Sequence, residues 1–315
     1  MSRRTAAKRA VRTADGVNPR QPCPCGSGRR YKACHGSAHG VADAIVTRPF
    51  EGLAAEPELI ALREFVPSAT AALPLAGTPR RPVTLATVLP MAAAALVRSD
   101  GAAFVGLQVQ TRSGDLSRDV ARAVQWALTA EPGEALSVVD TDDEVTTRLQ
   151  DLLRADEPLQ PQLHDDFAWW LPDGDQPTGD VALSLERANA AVMPSVRVSG
   201  SGVHAAYWVD AGDKAHLRWV RPEPEEQLLV AMARLAARDE LNLGEGSRYV
   251  GSFRAHGLAV PVWDLDPELH AKEWTSGAEA LAARLADELT ADDTVLTDGE
   301  RRVLNGLRSR QITLR

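Results

Sequence analysis

The stretch Ser195-Val196-Arg197-Val198-Ser199-Gly200-Ser201-Gly202-Val203-His204-Ala205-Ala206-Tyr207-Trp208-Val209-Asp210-Ala211-Gly212-Asp213-Lys214-Ala215-His216-Leu217-Arg218-Trp219-Val220 decides the fold class. Apolar and polar residues alternate along it, and β-branched and aromatic side chains dominate, the pattern of half-buried strands. Gly200–Gly202 and Gly212–Asp213 interrupt it where tight reversals need residues tolerant of positive φ. The reading is three short strands folded back on one another, an antiparallel meander. Gly200-Ser201-Gly202-Val203-His204-Ala205 also resembles a degenerate dinucleotide fingerprint. That fingerprint works only where a strand ends and a helix begins, and here Tyr207-Trp208-Val209 continue as strand, so a hairpin turn is expected.

Working outward, Ala103, Val105, Leu107 and Val109 alternate as one further strand, and Val83, Leu85, Thr87 and Leu89 as another. Leu258 to Trp263 reads as a strand whose Pro261 points to an edge or a bulge. Helical spacing joins Val120, Val124, Ala127 and Leu128, and also Val145, Leu149, Leu152 and Leu153 behind the acidic start Asp142-Asp143-Glu144. Leu228, Leu229, Met232 and Leu235 follow Pro222 and Pro224, a suitable helix entry. Ser276 with Glu279 and Thr297 with Glu300 have capping-box spacing, each ahead of an apolar stripe. The expected class is α+β: a largely antiparallel, mixed sheet body with packed helices.

The chain has 315 residues, 44% of them hydrophobic and 25% charged, which is globular composition. No run of ~18 apolar residues is present to span a bilayer, and the basic N-terminus lacks the apolar core of a secretory signal. The formal charge of −8 is unevenly spread. Residues 1–40 hold nine Lys or Arg against the single acid Asp15, and the rest of the chain holds 26 basic and 42 acidic side chains. A basic arm that seeks an anionic partner is the expectation. Its cations are Arg3, Arg4, Lys8, Arg9, Arg12, Arg20, Arg29, Arg30 and Lys32. The domain reading is a disordered arm over 1–20, a cysteine knuckle over 21–36, a linker over 37–50 and one body over 51–315.

All three cysteines lie in Cys23-Pro24-Cys25-Gly26-Ser27-Gly28-Arg29-Arg30-Tyr31-Lys32-Ala33-Cys34-His35-Gly36. Three thiolates and an imidazole match a structural zinc set, with no position left open for catalysis. Gly26-Ser27-Gly28 permits the reversal that returns Cys34 and His35 to Cys23 and Cys25. Three clustered cysteines are no disulfide framework for a chain of this size, so a reducing cytoplasm is expected.

This stretch resembles the SEC-C motif found at the C-terminus of the preprotein translocase ATPase SecA. The resemblance rests on Cys23-x-Cys25-x-Ser27-Gly28, Lys32 and Cys34-His35-Gly36, and implies one zinc ion on Cys23, Cys25, Cys34 and His35. In the translocase the motif is an interaction module, associated with the chaperone SecB and with ribosome or lipid contact. The chain lacks the Gly-Lys dipeptide of a P-loop, so it is not the motor. The remainder is similar to a family of high-GC Gram-positive bacteria with a SEC-C motif in front of a domain of unknown function. Glu186-Arg187-Ala188-Asn189, Pro194-Ser195-Val196-Arg197, Gly251-Ser252-Phe253-Arg254-Ala255-His256-Gly257-Leu258 and Pro261-Val262-Trp263-Asp264 carry that likeness.

Three function classes follow. In the first, the chain is an adaptor whose zinc module and arm contact ribosome or RNA, or Sec and chaperone machinery. In the second it is an enzyme on an anionic substrate, with Arg248, Arg254 and His256 in a glycine-rich stretch forming an anion pocket. In the third it is a structural oligomer. His164-Asp165-Asp166 offers metal-ligand types, but as a helix start its acids simply favour the dipole. The tryptophans read as core or groove lining, with Trp208 and Trp219 paired across neighbouring strands.

Overall fold

The computed structural model describes residues 21, 30, 31, 45–140, 146–172, 174–291 and 295–313. The chain divides into two compact units. One comprises Met1–Val46 with Ser113–Asp115, and the other Thr47–Arg112 with Leu116–Arg315. In the first unit the described backbone closes two hydrogen bonds, from Tyr31 N–H to the Gln21 carbonyl at 2.7 Å and from Val46 N–H to the Gly114 carbonyl at 2.8 Å.

The second unit is α+β. In chain order its elements are α1 (Glu56–Glu64), β1 (Ala69–Ala72), β2 (Val83–Ala86), β3 (Ala95–Val97), β4 (Ala103–Gly106), α2 (Leu116–Thr129), β5 (Ala135–Leu136), β6 (Gln162–Leu163), α3 (Gly179–Asn189), β7 (Ser195–Gly200), β8 (Val203–Asp210), β9 (Ala215–Trp219), α4 (Glu225–Ala237), β10 (Arg248–Ala255), β11 (Leu258–Leu265), α5 (Thr275–Thr290), α6 (Asp298–Ser309) and β12 (Gln311–Thr313). The strands form two mixed sheets of six, ordered β5-β3-β4-β2-β1-β6 and β12-β10-β11-β9-β8-β7. Antiparallel pairing dominates, with β2–β4 and β10–β12 the parallel pairs.

The meander is present as β7, β8 and β9, and Gly200-Ser201-Gly202 is its first hairpin connection. Its alternation buries two faces at once. Ala205 and Tyr207 enter a core shared with α1, α2 and the first sheet. Val203, Ala206, Trp208, Leu217 and Trp219 enter a second core beneath α4, α5 and α6. Helix α2 buries Val120, Ala123, Val124 and Ala127 at helical spacing. Each large apolar side chain so placed contributes about 1.5–3 kcal/mol.

Several local expectations change. Leu149–Asp151 is a single 3-10 turn rather than part of a helix, because Leu149 N–H donates to Ser117 Oγ at 2.9 Å instead of continuing a helical ladder. Val145 lies outside the described residues. Pro261 stands in an interior strand, with β10 on one side and β9 on the other. Pairing with β9 is assigned through Val262↔Arg218 and resumes at Ala259↔Arg221, so the residue lacking an N–H falls in the gap. Thr297 and Glu300 form the expected capping box. Ser276 and Glu279 do not, because α5 is entered through a 3-10 turn over Ala271–Trp274 that His270 and Glu273 cap. Glu279 instead accepts from Ser201 N–H at 2.8 Å. Trp219 packs against Trp263, with ring centroids 6.2 Å apart, and Trp208 lies against His270.

Candidate functional site

Cys23, Cys25, Cys34 and His35 lie outside the described residues, as do all the arm cations except Arg30, which is exposed. No other group of three or more His, Cys, Asp or Glu side chains among the described residues is placed to hold a metal. The donor set of the motif, three thiols and an imidazole, is chemically matched to tetrahedral zinc.

Arg248, Arg254 and His256 all belong to β10 and the turn after it, and the fold sends them to different partners. Arg248 Nη2 lies 3.3 Å from Asp264 Oδ2. Arg254 forks onto Glu225 of α4, with Nε 2.6 Å from Oε2. The hydrogen bond from Arg254 holds the Glu225 carboxyl below its ordinary value. His256 Nε2 lies 2.8 Å from Glu64 Oε1 at the end of α1. That hydrogen bond lowers the Glu64 carboxyl, against the opposing effect of burial. Arg254 lies six residue steps along the strand from Arg248, roughly 20 Å at ~3.3 Å per residue. The three side chains are not brought together. His164 Nε2 meets Thr70 Oγ1 at 2.8 Å, and Asp166 Oδ1 accepts from Ala168 N–H at 2.8 Å to start the 3-10 turn that carries Trp169 and Trp170.

The structure gathers a different constellation. A cavity of about 490 Å³ opens where α1, the segment 156–160, the β7–β8 hairpin and the chain after β9 meet. Sites of this size are common where elements from different parts of a fold converge. Pro57 in its first turn starts α1, and Glu56 and Glu58 add the negative charge that a helix N-terminus favours. Both carboxylates are buried, at 3% exposure each. Removing a carboxylate from water is costly unless it is paired and hydrogen-bonded. Glu56 accepts Arg48 Nε and Nη2 at 2.8 and 2.7 Å. Glu58 accepts Arg197 Nε and Nη2 at 3.0 and 2.6 Å, Ala205 N–H at 3.1 Å, and the Tyr207 hydroxyl on its other oxygen. Burial first, and then the negative charge of Glu58, push the Tyr207 phenol well above its ordinary value, so it stays protonated and donates.

Beside this base lies Arg221, 6% exposed, its guanidinium 4.7 Å from the centroid of the Trp219 ring. Nε donates to Glu223 Oε2 at 3.0 Å, while Nη1 is buried with no hydrogen-bond partner. Pro57, Pro158, Leu159 and Pro222 supply apolar walls, and Asp156 and His204 are exposed lining residues. The cavity combines rigid apolar walls with a base whose charges are already paired. That chemistry suits holding a ligand or an extended segment of chain.

None of Glu58, Tyr207 and Arg221 stands out in the sequence as a site residue. One signal was available: once Gly200-Ser201-Gly202 fixes the hairpin register, Arg197 and Tyr207 are direct cross-strand partners and share a face.

Fold and motif together define a class: a cysteine-motif segment that precedes, in sequence, an α+β body of two mixed sheets. Residues 20–37 match the SEC-C motif. Residues 49–315 match the family of unknown function DUF5926, and the chain belongs to that family. No curated protein and no solved structure matches the chain.

Proposed function

We propose that this protein is a cytoplasmic adaptor. Cys23, Cys25, Cys34 and His35 hold one structural Zn²⁺, and the cations around them dock the protein on an anionic polymer of the ribosomal RNA kind. The observation that carries the reading is the SEC-C match at residues 20–37, set within an N-terminal segment of nine cations and one acid. Zinc closes a loop too short to build a core of its own. The surrounding Lys and Arg give a salt-dependent attraction to phosphates without reading sequence. With Tyr31 as the one aromatic side chain of the first 40 residues, stacking on bases contributes little. The body carries 16 more acidic than basic side chains outside those residues, which leaves phosphate attraction to the N-terminal segment and gives the cavity at Glu58 the task of holding a second ligand.

The test uses the full chain. Its zinc content is measured, and its binding to ribosomal RNA is followed between low and high salt. One zinc per chain and affinity that falls steeply with salt support the reading. Zinc-free protein with no salt-sensitive binding overturns it, and retention of Sec or chaperone proteins instead of RNA replaces the RNA partner.

A further inference from the structure

A second cavity, of about 750 Å³, lies between the glycine-rich loop ahead of β10 and helix α6. Three arginines line it: Arg248 at the start of β10, and Arg302 and Arg310 from α6 and its C-terminal end. The other arginines of α6 are engaged elsewhere. Arg301 Nη2 lies 2.6 Å from Asp298 Oδ1, and Arg308 pairs with Glu226 of α4. Arg302 and Arg310, the two that line the cavity, make no ion pair among the described residues. Arg302 and Arg310 are exposed lining residues, so their guanidinium groups are open to a ligand at the cavity.

The frame around these cations is fixed. Ser247 Oγ accepts from Leu243 N–H at 2.8 Å and donates to the Gly244 carbonyl at 2.6 Å, which ties the loop across its own base. A Cβ at Gly251 would stand 2.8 Å from the Arg310 carbonyl, so the glycine lets the end of α6 approach β10 closely. Leu241, Val303 and Leu307 give the cavity an apolar side. Tyr249 lines it too, its phenol pushed up chiefly by burial, with its hydroxyl 2.7 Å from Ser252 Oγ. Asp239 and Glu245 contribute two carboxylates, and Arg248 already lies 3.3 Å from Asp264 Oδ2, which leaves Arg302 and Arg310 as the lining arginines without an ion pair among the described residues.

We propose that the cavity formed by Arg248, Arg302 and Arg310 binds a phosphorylated small molecule of nucleotide size. The guanidinium groups take the phosphates in forked, charge-assisted hydrogen bonds. Tyr249 and the leucines cover the uncharged body, and Asp239 and Glu245 accept from its N–H or O–H groups. The volume falls within the ~300–1,000 Å³ of small-molecule sites. This reading is independent of the zinc segment.

The experiment titrates full-length protein with a fluorescent trinitrophenyl ATP analogue, then displaces it with ATP, adenosine or a single-stranded RNA oligomer. Arg302→Gln/Arg310→Gln is compared with Arg301→Gln/Arg308→Gln, which removes the same charge from the same helix away from the cavity. Saturable binding, displaced by ATP and not by adenosine, weakened about tenfold or more in the first double variant and less than about twofold in the second, is the expected result. Equal weakening in both, displacement by adenosine as good as by ATP, displacement by RNA alone, or no saturable binding would each overturn the proposal.

Discussion

The Tyr207 hydroxyl donates to Glu58 Oε2 across 149 residues of sequence, and so joins the first helix of the body to the middle of the meander. Arg197 and the Ala205 N–H complete the set on the other oxygen. Glu58→Gln should therefore cost about 2–4 kcal/mol, because Arg197 keeps its charge and loses its counterion. Tyr207→Phe should cost about 1–3 kcal/mol, because one buried donor disappears from a carboxylate that stays. Denaturant unfolding of the two single variants and the double variant measures both, and the double should cost less than the sum.

Alkaline pH should expose the same contact. The phenol of Tyr207 is raised in the folded state above its ordinary value of about 10. Its contribution to stability is complete below that value and is lost as pH climbs above it, because the unfolded chain ionises first. Melting temperatures read upward from about pH 9 should fall more steeply for the natural protein than for Tyr207→Phe.

At acid pH the pair His256–Glu64 should matter. Glu64 is lowered chiefly by the hydrogen bond from His256, so its contribution is present above the unfolded carboxyl value of about 4.3 and is lost as pH falls through the folded one. Both side chains are partly open to water, so His256→Ala should cost only about 0.5–1 kcal/mol near neutrality. It should also flatten the loss of stability between about pH 5 and 3, read by thermal melts across that range.

Two glycines should resist replacement for different reasons. Gly257 has φ +86°, and with His256 at φ +46° forms the two-residue connection of β10 to β11. A Cβ there would also stand 2.9 Å from Arg48 Cβ. Gly277 of α5 lies against Leu243, where a Cβ would fall 1.9 Å from the carbonyl oxygen. Gly257→Ala and Gly277→Ala should each cost about 1–3 kcal/mol in equilibrium unfolding, while Gly212→Ala, with φ +84° but open space around it, should cost the strain alone.

The elements legible in the sequence were those whose period is local. The meander over 195–220, α2, α4 and the Thr297 capping box all follow from alternation, helical spacing or a four-residue cap. What was not legible depends on distant partners. Nothing near Leu149 announces that Ser117 will take its N–H, and nothing near Ser276 announces that Glu279 will turn to the hairpin at Ser201. Nothing near Glu56 and Glu58 announces their burial, because the arginines that make it tolerable lie at positions 48 and 197. Glycine-rich spacing drew Arg248, Arg254 and His256 into one site. Strand geometry spreads the first two along β10, and the arginines that join Arg248 at a cavity come from α6 and the residue just past its end.

The SEC-C segment and the body should behave as separate modules. Cys34→Ser should lose tight zinc binding and leave the unfolding free energy of the body within about 0.5 kcal/mol of the natural protein. Removing residues 1–20 takes away six of the nine N-terminal cations and should reduce the slope of log affinity for RNA against log salt by several units. Circular dichroism melts and salt-series binding check the two expectations.

The central claim is tested most directly by measuring zinc and RNA binding together on the same preparation of full-length protein, natural and Cys34→Ser. The account predicts one zinc per natural chain and none in the variant, with RNA affinity that falls steeply with salt and weakens when zinc is lost. Zinc retained in the variant, or RNA binding indifferent to both salt and zinc, would contradict it.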